Sequence, residues 1–353
     1  MILSLGSLLA LLLALVGPAR AEPLQVCATV PDLASLAARV GGDHVDVFVF
    51  AKGSEDAHFV EPRPSFLKRL SRADVLVRVG MDLERGWLPV LTRGARNARI
   101  LPGSAGDIDA SRVIEPLGTP PPGTSRAAGD VHAYGNPHYL LDPLNGLRVA
   151  RLLRDRLSER FPEGRAVFEA GFAALRSEIE SSLVGSELAG RYPVDKLALL
   201  YEHGRLAAFL ASQGEANLLG GWLGRMQPYF GSALVTDHGL WPYFARRFGV
   251  RIVGALEPKP GVPPTTRHLR ELIDRMRSLG VSAILTSAYY DPRHSRFVAE
   301  QTGAQVVPMA HQVGARSNTD DYVKMIAYNV RVLVEALERS APASTAPRVE
   351  GPR

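Results

Sequence analysis

The sequence predicts an α/β protein of two lobes, each a small, mainly parallel sheet flanked by helices, with one long helix connecting the lobes. Strand-like and helical segments alternate in the first half of the chain, and the alternation restarts in the second half. This order is typical of parallel sheets. A long stretch with helical spacing lies between the two halves. The length of the chain also suits two domains of ordinary size.

The first half contains three segments that we predict to be strands, namely LQVCATV, HVDVFVF and DVLVRVG. The spacing of apolar residues predicts helices between them, at PDLASLAARVGG and PSFLKRLSRA. The stretch ARILPG is a candidate for a short edge strand. Residues 116–130 are rich in Pro, Gly and Ser, which predicts an exposed loop.

The second half has four predicted strands, namely SALVTDH, VRIVGAL, VSAILTS and AQVVPMAH. Helical segments lie between these strands, and DDYVKMIAYNVRVLVEALE is the predicted closing helix. Residues 195–228 are harder to place, and we predict helix around KLALLYEHGRLAAFLASQ.

The middle of the chain predicts the connecting helix. A first helical pattern from Leu144 breaks at Pro162, and EGRAVFEAGFAALRSEIESSLVGSELAG follows with apolar residues at helical spacing. At 1.5 Å per residue, this second piece is long enough to span a small domain. We therefore divide the chain into a signal peptide, an N-terminal lobe, a connecting helix, a C-terminal lobe and a disordered tail. Their bounds are 1–21, 22–161, 162–189, 190–340 and 341–353.

The N-terminus has the features of an export signal. A short apolar run ends in Ala19-Arg20-Ala21, which fits the small-x-small rule for signal peptidase. The run is too short for a confident membrane span. We expect cleavage near Ala21 and a periplasmic mature protein. Cys27, the only cysteine, lies within the first predicted strand and away from that cleavage site, so an internal disulfide is excluded.

The composition is that of an ordinary globular protein. Apolar residues make up 46% of the chain and charged residues 22%, which supports a large core. The formal net charge is +5, but Lys and Arg are scattered rather than clustered on one face. Nucleic-acid binding needs a clustered basic face. We therefore expect that the protein binds no nucleic acid. We also expect a monomer.

Four of the nine histidines occupy positions that favour metal binding. His58, His238 and His311 follow predicted strands in both lobes, and His138 opens the helix that leaves the first lobe. In open parallel sheets, ligands bind beyond the carboxyl ends of the strands. Imidazole is a common metal ligand, and four nitrogens suit zinc or a neighbouring late transition metal. Taken alone, each histidine is more often a capping or packing residue than a ligand.

Six stretches in register resemble one protein family, the metal receptors among the solute-binding proteins of bacterial ABC importers. This zinc/manganese group is called cluster A-I or TroA-like. The matching stretches cover nearly the whole mature chain and are ATVPDLASLAARVGGDHVDV, DAHFVEPRPSFLKRLSRADVLVRVG, GNPHYLLDPLNG, VTDHGLWPYFARRFGV, GALEPKPGVPPT and AILTSAYYDPRHSRFVAEQTGAQVV. The resemblance implies two α/β lobes bridged by one long, stiff helix.

The resemblance also implies metal ligands. The family's D-x-H-x-x-E-P stretch places the first ligand on His58, and its N-P-H-x-x-x-D-P stretch places the second on His138. The residue before the W-x-Y-F-A-x-R-F-G helix gives His238 as the third. The family's fourth ligand is usually an Asp or Glu after the last strand, and the nearest match here is His311 in PMAHQVGAR.

The departure at the fourth position bears on the choice of metal. Asp291 and Asp237 are the alternative carboxylates, and His132 is expected to be a pocket residue beside the ligands. Four histidines leave the charge of a divalent cation uncompensated. Zinc accepts four nitrogens tetrahedrally, whereas manganese prefers oxygen. We therefore predict Zn²⁺, with Mn²⁺ as the alternative, while iron, nickel and copper remain open by ligand type.

The function implied by the resemblance is a periplasmic high-affinity zinc receptor that delivers the metal to the membrane subunit of an ABC permease. A manganese or iron receptor and a metal-binding adhesin of the same fold are alternatives. The competing class is a zinc hydrolase with three histidines, a metal-bound water and a general base such as Glu55, Glu61 or Glu257. A closed four-ligand site argues against catalysis, so we predict that the protein is not an enzyme.

Overall fold

Two parallel four-stranded sheets form the centre of the two lobes. The computed structural model describes residues 22–121, 132–258 and 262–340. The strands of the first sheet are β1 (Leu24–Ala28), β2 (Val45–Val49), β3 (Val75–Arg78) and β4 (Asp107–Asp109). Those of the second are β5 (Ala233–Thr236), β6 (Arg251–Ala255), β7 (Ala283–Thr286) and β8 (Gln305–Pro308). The strand orders are β2-β1-β3-β4 and β6-β5-β7-β8, which confirms the predicted fold class.

Helices pack around the sheet of the first lobe. They are α1 (Pro31–Gly41), α2 (Pro64–Arg72), α3 (Leu88–Ala95) and α4 (Pro143–Arg160). Proline occupies the start of each of these helices. A proline at this position costs no helical hydrogen bond and has its φ already set for the helix.

The predicted edge strand at ARILPG is wrong. Residues Ala98–Ile100 form a 3₁₀ turn, and the edge strand is β4, a few residues later. The side chain of Asn97 explains the turn, because its oxygen accepts a hydrogen bond from the Arg99 backbone N–H at 3.1 Å. Its amide nitrogen donates to the carbonyls of Leu70 and Ala73. Local side-chain bonds of this kind compete with a strand ladder.

A long helix, α5 (Arg165–Val184), lies within the predicted connecting segment. Its buried residues recur at helical spacing and are Phe168, Phe172, Leu175, Ile179, Leu183 and Val184. The helix packs against α1 and α4 of the first lobe and against Gly221–Met226 of the second. Its apolar face is therefore shared by both lobes.

The second lobe contains the remaining helices. They are α6 (Ser186–Arg191), α7 (Val194–Glu202), α8 (Leu206–Ser212), α9 (Gly221–Met226), α10 (Pro242–Phe248), α11 (Thr266–Leu279), α12 (Pro292–Thr302) and α13 (Tyr322–Ser340). The segment 195–228 is thus helical, and Trp222 is buried where α9 packs on α5 and α13.

Three predicted segments fall wholly or largely outside the described residues. They are the signal peptide at 1–21, most of the loop at 116–130 and the tail at 341–353. Within the described part of the chain, every helix is too short or too polar to cross a bilayer.

A buried ion pair joins the two lobes close to His138. The Asp142 carboxylate caps α4 by accepting from the Leu144 N–H at 2.9 Å. It also accepts two hydrogen bonds from the guanidinium of Arg247 on α10, at 2.8 and 2.9 Å. The two side chains are 0% and 4% exposed, and Glu202 lies 2.8 Å from the same guanidinium. The aspartate of the NPHYLLDP stretch is therefore a structural residue.

Replacing Asp142 tests this interaction. The Asp142→Asn variant leaves the buried Arg247 with only Glu202 as a charged partner, and breaking such a pair costs about 3 kcal/mol. We expect urea unfolding of the metal-free protein to show a loss of that size. The control is Glu335→Gln, which breaks the exposed pair with Arg331 on α13 and should cost under about 1 kcal/mol. Equal losses in the two variants would contradict the assignment.

The single cysteine gives a second prediction. Cys27 is 2% exposed in β1, and burial raises the pKa of its thiol to about 12. Since the thiolate is the reactive form, the native protein should not react with Ellman's reagent at pH 8. Reaction should begin only in denaturant, with a midpoint that matches global unfolding. Rapid labelling of the native protein would show that β1 opens locally.

Candidate metal centre

His58 follows β2 and lies in a 3₁₀ turn that Asp56 holds in place. The Asp56 carboxylate accepts hydrogen bonds from the His58 backbone N–H at 3.0 Å and from its ring Nδ1 at 2.6 Å. A carboxylate paired with Nδ1–H leaves the lone pair of the neutral ring on Nε2. Metal-ligating histidines commonly have such a carboxylate partner. The Asp-x-His spacing in the sequence was the available signal for this partner, which our sequence analysis missed.

The charge of Asp56 is maintained by this contact. Burial raises the pKa of the carboxyl, but the hydrogen bonds from the ring and the backbone of His58 lower it, and the resulting pKa lies below the ordinary value. Asp56 therefore supplies a negative charge one hydrogen bond away from the ring.

His138 and His132 approach His58 from the segment that precedes α4. The backbone N–H of His138 donates to the Asn136 side-chain oxygen at 2.9 Å, which orients the turn. The His138 and His58 ring centroids are 5.3 Å apart. The Nε2 atoms of His132 and His58 are 3.1 Å apart, so His132 lies at the predicted site.

His238 directly follows β5 in the second lobe. Its backbone N–H donates to the Asp237 carboxylate at 2.7 Å, and its ring Nδ1 lies 3.4 Å from the Glu257 carbonyl oxygen. A carbonyl only accepts, so this contact places the ring proton on Nδ1 and the lone pair on Nε2. The ring also lies near that of Tyr290, with centroids 5.7 Å apart.

His311 follows β8 and reaches across to the first lobe. Its Nε2 lies 3.2 Å from the Glu55 carbonyl oxygen, whereas its Nδ1 is buried and has no hydrogen-bond partner. Tyr289 packs against the ring with centroids 4.7 Å apart and nearly perpendicular planes. Burial lowers the pKa of His311 to about 4, so the ring is neutral at physiological pH.

The histidines of the two lobes converge around His138. Its pKa lies well below the ordinary value, first because of burial and second because four other histidines are close enough to disfavour its charged form. These four are His58, His132, His238 and His311. A cavity of about 30 Å³, lined in part by His138, His311 and Asp56, has room for a water-sized ligand. Among the described residues, no three His, Cys, Asp or Glu side chains are arranged to hold one ion together.

The alternative carboxylates are engaged in other contacts. Asp237 is buried and accepts from the Ser287 hydroxyl at 2.6 Å, and burial raises its pKa. Asp291 caps α12 and pairs with Arg293, whose hydrogen bonds lower the pKa of Asp291 to about 2. Both carboxylates therefore stabilise loops in this structure.

A sequence model of a known family matches most of the chain. The family is described as "ZnuA: Zinc-uptake complex component A periplasmic", and the match covers residues 26–184 and 224–336. The chain belongs to this family. Positions 58, 138, 238 and 311 all fall within the matched residues.

Curated relatives of this chain are named for metal transport. The metal ABC transporter substrate-binding lipoprotein SloC of Streptococcus mutans is 23% identical, over 90% of this chain and 91% of the relative. The manganese ABC transporter substrate-binding lipoprotein PsaA of Streptococcus pneumoniae is 22% identical, over 90% of each chain. The ZnuA-family chain is therefore a metal-binding substrate-binding protein of an ABC importer and not an enzyme, as predicted.

Solved structures share the fold. A zinc-bound ZnuA with residues 138–173 of its own chain deleted has a TM-score of 0.64 and 21% identity, covering 89% of this chain and 98% of that one. A manganese-bound S38A mutant of a periplasmic metal-binding protein from Candidatus Liberibacter asiaticus has a TM-score of 0.64 and 16% identity, covering 88% and 98%. At these identities the likeness concerns the fold alone.

The Asp56–His58 contact leads to a prediction about affinity. The Asp56→Asn variant removes the charge that orients and polarises the His58 ring, and loss of such a partner lowers metal affinity by about 10–100-fold. Competition with a chromophoric zinc chelator at pH 7.5 measures this. The matched control is Asp291→Asn, which alters an exposed helix cap and should leave the affinity within about twofold on the same reasoning. Unchanged affinity in Asp56→Asn would refute the role.

Proposed function

We propose that this ZnuA-family protein is a periplasmic high-affinity zinc receptor that delivers the ion to the membrane subunit of an ABC permease. In this proposal the ion is bound by His58, His138, His238 and His311. The observation that supports it is the convergence of His58, His238 and His311 from both lobes around His138, beside a small cavity that His138 and His311 line.

The hydrogen bonds of three rings support a role as ligands. His58, His238 and His311 each direct one ring nitrogen at an oxygen acceptor. That contact sets the tautomer and leaves the lone pair on the other nitrogen. Burial lowers the pKa of His138 and His311, and neutral rings suit metal binding because no proton has to leave before the ion enters.

The donor set supports zinc over manganese. Four imidazoles offer nitrogen to a tetrahedral ion, and manganese prefers oxygen ligands. The negative charge of Asp56, one hydrogen bond from the His58 ring, offsets part of the charge of the cation. The family description names zinc uptake, while the pneumococcal relative is named for manganese. A manganese receptor is therefore the second candidate.

The remaining parts of the proposal concern location and partners. The family is described as periplasmic, and the streptococcal relatives are named as lipoproteins. We take residues 1–21 as the export signal, and residues 22–161 and 190–340 as the lobes on either side of the connecting segment 162–189. The partners are the metal ion and the permease, and the receptor acts as a monomer without nucleic acid.

Thermal unfolding with and without metal tests the proposal. Zinc at a thousandfold excess over its dissociation constant should stabilise the protein by about 4 kcal/mol, because it binds only the folded form. The His238→Ala and His311→Ala variants should lose most of this gain. The control His203→Ala removes an exposed histidine at the end of α7, and this variant should retain the full stabilisation by zinc.

Two results would contradict the proposal. Full zinc stabilisation in both site variants would show that neither His238 nor His311 binds the ion. Manganese stabilisation that exceeds that of zinc at equal free concentration would replace zinc with manganese as the cargo. Metal analysis of protein purified from periplasm without chelator gives the complementary measurement.

A further inference from the structure

We propose that His311 binds the metal through Nδ1, and that Gln312 is the residue that positions it to do so. This inference rests on the proposed metal site and concerns which atom of the fourth ligand faces the ion. The supporting contacts involve His311 and Gln312 of the second lobe and the backbone carbonyl of Glu55 in the first lobe.

The tautomer of His311 follows from its partner. The Glu55 carbonyl oxygen, 3.2 Å from Nε2, is only an acceptor, so Nε2 carries the proton of the neutral ring. The lone pair is then on Nδ1, which is buried and has no hydrogen-bond partner. A buried acceptor without a donor is costly, and a metal ion satisfies it. His311 and His138 line the same cavity of about 30 Å³.

The Glu55 carbonyl is held in place by Gln312. The two hydrogens of the Gln312 side-chain amide point at this carbonyl, at 2.9 Å, and at the Lys52 carbonyl, at 2.8 Å. The Gly53 carbonyl oxygen, at 3.2 Å, shares one of these hydrogens. Gln312 is 5% exposed. A carbonyl has two lone pairs, so the oxygen of Glu55 accommodates both Gln312 and the His311 ring. These hydrogen bonds therefore hold the loop at 52–55 in place relative to the His311 ring.

Backbone contacts on both sides of Gln312 add to this constraint. The Val313 N–H donates to the buried Asp32 carboxylate at 3.2 Å. Gly53 lies so close to Gly314 that a Cβ atom on Gly53 would fall 2.3 Å from the Gly314 carbonyl carbon. A 180° turn of the His311 ring would place a carbon atom against the Glu55 oxygen and lose the hydrogen bond. Coordination through Nε2 would require the same loss.

Coordination through Nδ1 also explains how a histidine can replace a carboxylate at position 311. The resemblance places an Asp or Glu here in most family members. Nδ1 of histidine and Oδ1 of aspartate are each bonded directly to Cγ, so they reach equally far from the backbone. Nε2 lies one atom further out and would need a larger site. Histidine bound through Nδ1 thus replaces the carboxylate oxygen with nitrogen at the same reach, whereas His58 and His238 present Nε2.

Nitrogen NMR with cadmium as the probe tests the inference. In metal-free protein labelled with ¹⁵N-histidine, the His311 signals, identified by their absence in His311→Asp, should show the Nε2–H tautomer. With ¹¹³Cd bound, one-bond coupling should appear at Nδ1 of His311 and at Nε2 of His58 and His238. Coupling at Nε2 of His311, with the other couplings present, would overturn this inference alone. Absence of coupling to every histidine would overturn the proposed function as well.

Substitution of Gln312 tests its positioning role. Gln312→Ala should give a mixture of His311 tautomers and a zinc affinity about tenfold lower, as expected when an outer partner of a ligand is removed. The control Gln301→Ala changes an exposed glutamine on α12 and should leave both unchanged. A single Nε2–H tautomer with normal affinity in Gln312→Ala would refute the role. If that variant does not fold, the cadmium coupling in the wild type decides which nitrogen binds.

Discussion

The buried Asp142–Arg247 pair is the interaction on which the geometry of the site depends. It joins the start of α4, four residues after His138, to α10, nine residues after His238. A bidentate carboxylate–guanidinium pair has a defined geometry as well as a favourable energy. Because both side chains are inaccessible to solvent, neither lobe can shift at this point without leaving a charge uncompensated. The pair therefore ties together the segments that carry His138 and His238.

A second set of contacts holds the lobes together on the side of His311. The Tyr322 hydroxyl contacts the carbonyls of Leu140 and Asp142, and Arg39 on α1 pairs with Asp321. Together with helix α5, which packs against helices of both lobes, these contacts oppose a wide hinge motion, because it would break buried hydrogen bonds. Responses to a bound ion are therefore expected to be local, in the loops that carry the histidines.

The hydrogen-bond partners of the candidate ligand rings come from both lobes. The Asp56 carboxylate accepts a hydrogen bond from the His58 ring within the first lobe. The Glu257 carbonyl accepts one from the His238 ring within the second lobe. His311 is different, since its partner Glu55 belongs to the opposite lobe. The position of the proposed fourth ligand thus depends on the contact between the lobes, where Gln312, Asp32 and Gly53 lie close together.

The sequence alone determined the α/β class, the strands of both sheets apart from one edge, and the family, because periodicity and motif order are local properties of the chain. It also selected the four histidines as candidate ligands. It could not determine the edge strand, since the Asn97 side chain bonds to carbonyls more than twenty residues away. The ring nitrogen of His311 that carries the lone pair was likewise decided by tertiary structure. That choice depends on a carbonyl 256 residues earlier in the chain, and only folding brings the two groups within hydrogen-bond distance.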